Sequence, residues 1–234
     1  MQHFYFVEKP ANVRKSMKVI GYTHSLVPSR KLVKSETVHI HLTESALSLY
    51  LALSESNRKI LRRAQKEAYQ VFIYKEPSEE NLRAFQQFYN NFAKRKKLES
   101  ISKSQMEAIM LLNNQGALWL SEIRSICGQT LCYRLDIVHA KKAMSYYVAT
   151  CHSQTTLNHL KRPIRYANHF LLWHNLLHLK EQGFVLYDMG RLMDDQNIRE
   201  FKLSFGGQVV NVYSGYIAHS KISALLLGVQ KWRK

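Results

Sequence analysis

An α+β fold built on a mixed, mainly antiparallel central sheet is what this sequence predicts, on three observations. Helical periodicity dominates residues 43–112, interrupted by one short β-prone run at Val71–Tyr74. Strict alternation then replaces it over Ala117–Ile123, Thr130–Val138 and Ala143–Ala149, joined through Gly128 and through His139-Ala140-Lys141-Lys142. A long helical stretch, Tyr166–Gln182, follows and leads to strands at Phe184–Asp188 and Val209–Ile217. Period two sets alternate side chains on opposite strand faces, whereas a period of 3.6 gathers them on one helix face. Helices packed on an antiparallel meander define the α+β class.

Taken in order, residues 1–35 carry Arg14, Lys15, Lys18, Arg30, Lys31 and Lys34 with Pro10 and Pro28 and no sustained period, so they read as a partly extended basic arm preceding one domain at 36–234. Val38–Leu42 alternates, with His39 and His41 assigned to the wetter face of a first strand and to no function. Thr43 is placed to cap a helix through Leu53, and Ser54 to cap the next, because a Ser or Thr oxygen accepts the orphan N–H groups of a first turn. On that second helix Arg58, Arg62 and Lys66 recur every four residues with Lys59 and Arg63 beside them, giving a cationic face opposite Ile60, Leu61, Ala64 and Ala68. Such a face is either solvated or a contact for phosphates. Ser78 opens a helix whose Leu82, Phe85, Phe88, Tyr89 and Phe92 form a core stripe, and which leaves through Lys94, Arg95, Lys96 and Lys97, cations suited to a helix C-terminus. A short helix at Ser104–Leu112 completes this group.

Composition bounds the function. The 234 residues are 46% apolar, enough for a substantial core, with no internal repeat. Thirty-four Lys and Arg against 17 Asp and Glu leave a formal charge of +17, whose field attracts polyanions: RNA, a phosphorylated cofactor, an acidic carrier protein or an anionic membrane surface. Cys127, Cys132 and Cys151 are odd in number and show no disulfide or metal spacing, and no early segment resembles a signal peptide, so reduced thiols in a cytoplasmic protein are expected. No run reaches the roughly 20 apolar residues of a membrane span. His174 and His178 lie one turn apart, yet asparagine replaces the glutamate of the peptidase signature and no third ligand is near in sequence, so no metal site is expected. Walker loops, dinucleotide fingerprints and nucleophile elbows are absent.

The most informative stretch is Tyr187-Asp188-Met189-Gly190, then Ile198, then Phe201-Lys202-Leu203-Ser204-Phe205-Gly206-Gly207. Phe184-Val185-Leu186-Tyr187 reads as a buried strand delivering Asp188 to its C-terminal edge, a usual place for a site. Lys202 between two phenylalanines offers an ammonium suited to stabilising an oxyanion, and the glycines after it let backbone turn or approach a ligand. A plain surface lysine at the start of a strand is the alternative.

These residues resemble the C-terminal signature of the Fem-type aminoacyl and peptidyl transferases, relatives of the GNAT acyltransferases. The resemblance extends upstream through the basic stretch Ser54–Lys66, the strand at Val71–Tyr74, the helix Leu82–Arg95 ending in Arg-Lys, and the long helix Ala167–Gly183 containing Trp173. It covers roughly residues 36–216, and the order of pieces carries it rather than any single one. It implies a GNAT-like domain with helices on both sheet faces, whose fourth and fifth strands, Ala143–Cys151 and Phe184–Asp188, splay apart to admit an acyl donor. It also implies that Lys202 stabilises the tetrahedral intermediate beside Phe201. Asp188 then either takes the amine proton or positions Lys202 and nearby backbone, and Tyr147 and Tyr187 have hydroxyls within range of such a site. Coenzyme-A-dependent members follow the fourth strand with a glycine-rich loop that binds pyrophosphate. Residues 152–165 contain no glycine, and Lys161, Arg162 and Arg165 stand there instead.

The sequence therefore predicts an N-acyltransferase that moves an activated acyl group, aminoacyl from aminoacyl-tRNA, onto an amine. tRNA would contact Arg58, Arg62, Arg63 and Lys66; the donor would contact Tyr147, Lys161, Arg162 and Arg165. No tightly bound cofactor is expected, the donor being a co-substrate. Acyl-CoA or an acyl carrier protein is the rival donor, with an amino sugar or small amine as acceptor, and a non-catalytic basic RNA-binding module is the rival class. Oligomeric state is not legible.

Overall fold

The computed structural model describes residues 2–9, 19–151 and 161–218. They divide into two compact units. One takes residues up to Val38, Arg191–Arg199 and the chain from Gln208 on; the other takes His39–Gly190 and Glu200–Gly207.

In the first unit β1 (Gln2–Tyr5) runs parallel to β2 (Val19–Ser25), β2 pairs antiparallel with β9 (Gln208–Ala218), and β9 neighbours β3 (Val33–His41), which continues into the second unit. This corrects the reading of residues 1–35 as an arm: the segment after the basic residues is Val19-Ile20-Gly21-Tyr22-Thr23, β-prone sequence that buries Ile20 completely once β9 supplies a partner. The partner lies about 200 residues away, which is why no local period announced it.

The second unit holds the meander and most helices. Ser45, not Thr43, caps α1 (Ala46–Ala52), its hydroxyl accepting from the Ser48 N–H at 3.0 Å. Ser54 caps α2 (Glu55–Ala64), accepting from Asn57. That helix stops two residues short of Lys66, and Ala68, expected on its buried side, is exposed. After β4 (Gln70–Tyr74), α3 (Glu79–Lys96) and α4 (Lys103–Asn114) each open on a capping box, Ser78 with Asn81 and Ser102 with Gln105. The meander is β5 (Leu118–Arg124), β6 (Thr130–His139) and β7 (Lys142–Thr150), with β4 antiparallel to β5. α5 (Lys161–Glu181) ends where the N–H groups of Gly183 and Phe184 return to the carbonyls of Lys180 and Leu179, Gly183 taking the positive φ this turn requires. β8 (Leu186–Asp188) then pairs parallel with β7 and antiparallel with the end of β3.

Helices cover both faces of this part of the sheet. Cys132, Arg134 and Asp136 face α5, where Asn168 and Asn175 meet them. Tyr133 projects from the opposite face of the same strand against Phe85 and Phe88 of α3. Ala167, Leu171, Leu172, Leu176 and Leu179 form the buried side of α5, and Leu82, Phe85 and Ala93 that of α3. The expected aromatic stripe is therefore core, with Tyr147 of β7 packed into it against Tyr89 at a ring separation of 4.9 Å.

Candidate active site

The site grows from the end of β8. The β7–β8 ladder holds three residue pairs, the last being Met144 with Asp188, and β7 then runs on to Thr150 paired with β6 alone. At the same point the β6–β7 register slips by one residue, Leu135 facing Tyr147 but Asp136 facing Ser145, so Tyr146 is extra. A bulge adds local twist, which turns β7 away from its neighbour. The splay of fourth and fifth strands is thus built from a short β8 and a bulged β7.

Gly190 sits in the fork. Its φ is +73°, and a Cβ there would lie 2.8 Å from the Ser145 carbonyl oxygen, so only glycine lets the turn after β8 lie this close to β7. Asp188 is completely buried. Its carboxylate accepts the Gly190 N–H at 2.8 Å on one oxygen and lies 3.2 Å from His39 Nε2 on the other. His39 stands opposite Asp188 in the β3–β8 ladder and is only 5% exposed. The alternation reading placed His39 on the wetter face; the fold buries both faces of β3 here, while His41 remains exposed.

Lys202 approaches the same turn from a helix. The segment, given a strand start only in the alternative of a plain surface lysine, forms α6 (Gln196–Leu203), started by the Asp195 carboxylate accepting from the Ile198 N–H at 3.1 Å. Lys202 occupies its last turn and donates from Nζ to the Gly190 carbonyl at 2.8 Å. Burial, the nearby Arg134 charge and, acting oppositely, Asp188 bring its pKa down to about 8. Phe201 and Phe205 hold the helix end, both packed on the His169 ring of α5. The Ser204 carbonyl is caught by the Ser54 N–H at 2.9 Å and the Asn57 amide at 3.2 Å, at the start of α2. Two residues on, Gly206 has φ +77°, and a Cβ there would collide with the Ala52 backbone.

Beneath Lys202 lies a polar layer that the sequence reading missed. Arg134, 2% exposed, donates to Asn168 Oδ1 at 3.1 Å, Ser145 Oγ at 3.2 Å and the Tyr187 hydroxyl at 3.4 Å. Tyr187 donates in turn to Asp136 at 2.9 Å. Burial pushes Asp136 up to about 6, against the pull of Arg134 and of the donors Tyr187 and Asn175. Burial also raises the Tyr187 phenol, so this hydroxyl works as a neutral link and not as an exposed site group.

The remaining expected residues lie elsewhere. Arg58 donates to the carbonyls of Leu51 and Leu53 at 2.8 and 2.7 Å, closing the end of α1, so its guanidinium is structural. Arg62, Arg63 and Lys66 are exposed. Lys161, Arg162 and Arg165 fall in the opening turns of α5, their side chains outside the described atoms, as are residues 152–160 of the glycine-free segment. Tyr147 lines the aromatic cluster rather than the Lys202 turn. Among the described residues no group of three or more His, Cys, Asp or Glu is placed to hold a metal, and no helix is long and apolar enough to cross a membrane. Cys127 is exposed, Cys132 buried and Cys151 between them, all as free thiols.

Comparison with known sequence families gives no match, and comparison with curated proteins gives none either. The fold is nonetheless shared with solved structures. FemX superposes with a TM-score of 0.66 over 86% of this chain at 14% identity, and the chain spans 65% of FemX, just under two thirds of its length. A C-terminal domain assigned to a lysylphosphatidylglycerol synthetase of Agrobacterium fabrum gives 0.54 at 14% identity, covering 90% of this chain and 71% of its own. L-PGS from Bacillus licheniformis gives 0.55 at 14% identity, covering 91% and 72%. The fold expected from the resemblance to the Fem-type transferases is therefore the observed one, shared with FemX.

Proposed function

We infer that the protein is an N-acyltransferase that joins an activated acyl group to an amine, with aminoacyl-tRNA as donor. The observation that carries this reading is the Lys202 ammonium fixed on the Gly190 carbonyl where β7 and β8 part.

In such a reaction the amine nitrogen attacks the acyl carbonyl carbon. A C–N bond forms and the carbonyl oxygen takes the negative charge. When the intermediate collapses, the C–O bond to the ribose breaks, and the proton shed by the amine ends on the released hydroxyl. Lys202 supplies positive charge to the oxyanion, in a position whose partial burial strengthens it. Asp188 positions: it holds the Gly190 N–H and so fixes the carbonyl on which Lys202 rests. Phe201 seats the last turn of α6 on His169.

The donor assignment rests on the +17 charge, on Arg62, Arg63 and Lys66 exposed together, and on the lack of glycine in 152–165. A fold shared with a protein named for making lysylphosphatidylglycerol fits the transfer of an aminoacyl group. Lys161, Arg162 and Arg165 would meet phosphates of the donor, and Tyr147 would stiffen the wall of β7 beyond the fork. The molecule acts in the cytoplasm on this reading, where charged tRNA is found.

Isothermal titration against charged tRNA and against coenzyme A at physiological salt tests the donor. The expected result is salt-sensitive tRNA binding and little affinity for coenzyme A. A coenzyme A dissociation constant in the low micromolar range, about −8 kcal/mol, with no tRNA binding would replace the donor by an acyl-CoA.

A further inference from the structure

The buried Arg134 guanidinium keeps one donor that the described residues leave unused. It is 2% exposed, and among the described residues each hydrogen bond it makes goes to a neutral oxygen: the Asn168 amide, the Ser145 hydroxyl and the Tyr187 phenol. Its Nε–H, also buried, has no partner among those residues. The carboxylate on this network, Asp136, joins it through the Tyr187 hydroxyl and balances the guanidinium charge without a hydrogen bond to it. The Lys202 ammonium is near enough to feel the Arg134 charge, and it rests on the Gly190 carbonyl, with Gly190 abutting Ser145, the residue that holds Arg134.

Two cations are thus gathered at the fork, with Asp188 as the carboxylate set against Lys202 and, among the described residues, none hydrogen-bonded to Arg134. A buried donor left without an acceptor is costly. Proteins keep such arrangements where a ligand completes them.

We propose that Lys202 and Arg134 together form a binding site for one negatively charged oxygen, contacted by the Lys202 ammonium and by the unused Arg134 Nε–H. Two sources have this chemistry, the tetrahedral oxyanion of the acyl transfer inferred above and a permanent carboxylate on a substrate. The inference rests on that reading only for the first source. Arg134 is then a second donor to the reacting oxygen, where sequence and resemblance offered Lys202 alone.

The test is titration of the purified protein with methylphosphonate, a tetrahedral anion, and with acetate, a planar one, followed by the Lys202 ammonium resonance and by calorimetry. Wild-type protein is expected to bind at least one of them, and Arg134→Gln and Lys202→Met are each expected to weaken binding by tenfold or more. Arg83→Gln, on the exposed surface of α3, should leave it unchanged. Tighter methylphosphonate binding identifies the oxyanion, and tighter acetate binding a substrate carboxylate. No binding to the wild type, or equal binding by Arg134→Gln, overturns the proposal. If Arg134→Gln does not fold, Arg134→Lys keeps the charge but loses the fork of donors and is expected to show the same loss. Anion binding that depends on both residues, in a protein that transfers no acyl group from any donor, would sink the transferase reading and leave the anion site standing.

Discussion

Arg62, Arg63 and Lys66 carry the same charge as Lys202 and Arg134, yet the two sets obey different physics. The first set lies in water, where its field is long-ranged, screened by salt and tolerant of position. The second is enclosed, held by named carbonyl and hydroxyl oxygens, and shifted in acidity by its surroundings. The formal +17 is a sum over the whole chain, to which the first set belongs as part of an outward field, and it speaks to partners. Chemistry is a property of the second, whose two charges act at short range. Arg58 shows that sequence spacing does not sort the two: it lies in register with Arg62 but closes the end of α1.

Removing a cation from the enclosed set should have the largest effect. Lys202→Met is expected to slow transfer by roughly 10²-fold or more, the usual loss for one oxyanion donor, while leaving the thermal midpoint equal to the wild type or higher. The stability half follows from linkage: a lysine whose folded pKa is lowered to about 8 lends stability only above its unfolded value, and loses it as pH falls through about 8. At neutral pH the ammonium is therefore a cost that methionine removes. Near-wild-type turnover, or a fall in the midpoint, would place Lys202 with the surface set. The same shift predicts a rate that declines as pH rises through about 8, read from the alkaline limb of kcat/KM.

Next in size is the support of α6. Gly206→Ala forces a side chain onto a φ of +77° and into the Ala52 backbone, with an expected cost of about 2–4 kcal/mol and a loss of transfer as Lys202 moves from Gly190. Denaturant unfolding and single-turnover rates, measured together, check it. An alanine variant as stable and as active as the wild type would show that the close approach to Ala52 does not position the site.

Smallest is the surface set itself. Replacing Arg62, Arg63 and Lys66 by glutamine should leave folding and the chemical step intact, and lower the salt dependence of tRNA binding by about 0.7–0.9 for each phosphate no longer neutralised. Arg58→Ala, by contrast, should act on stability, by about 1–2 kcal/mol for the charged hydrogen bonds to Leu51 and Leu53, with little change in that slope. An unaltered slope in the triple variant, measured by filter binding across salt, would remove tRNA from this face.

The sequence by itself determined the meander, α2 to α5, β8 and the place of Asp188 at its end, because each is written in a local period or a cap: alternation at Thr130–Val138, the capping serines Ser54 and Ser78, Gly183 closing α5. It also singled out Lys202, without the helix beneath it. Asp195 as a cap for α6 was a legible signal that went unused. Only the tertiary structure decided the rest. β2 needed β9 as a partner, and His39 needed Asp188, 149 residues away, to become part of a site. Arg134 and Asp136 alternate with Tyr133, Leu135 and Ile137 as if facing solvent, and nothing in that pattern says that Asn168 and Asn175 of α5 will cover them. Local periods record which faces of an element differ. Which face a distant element will seal, and which charges it will trap there, is set by packing between residues that no window of sequence contains.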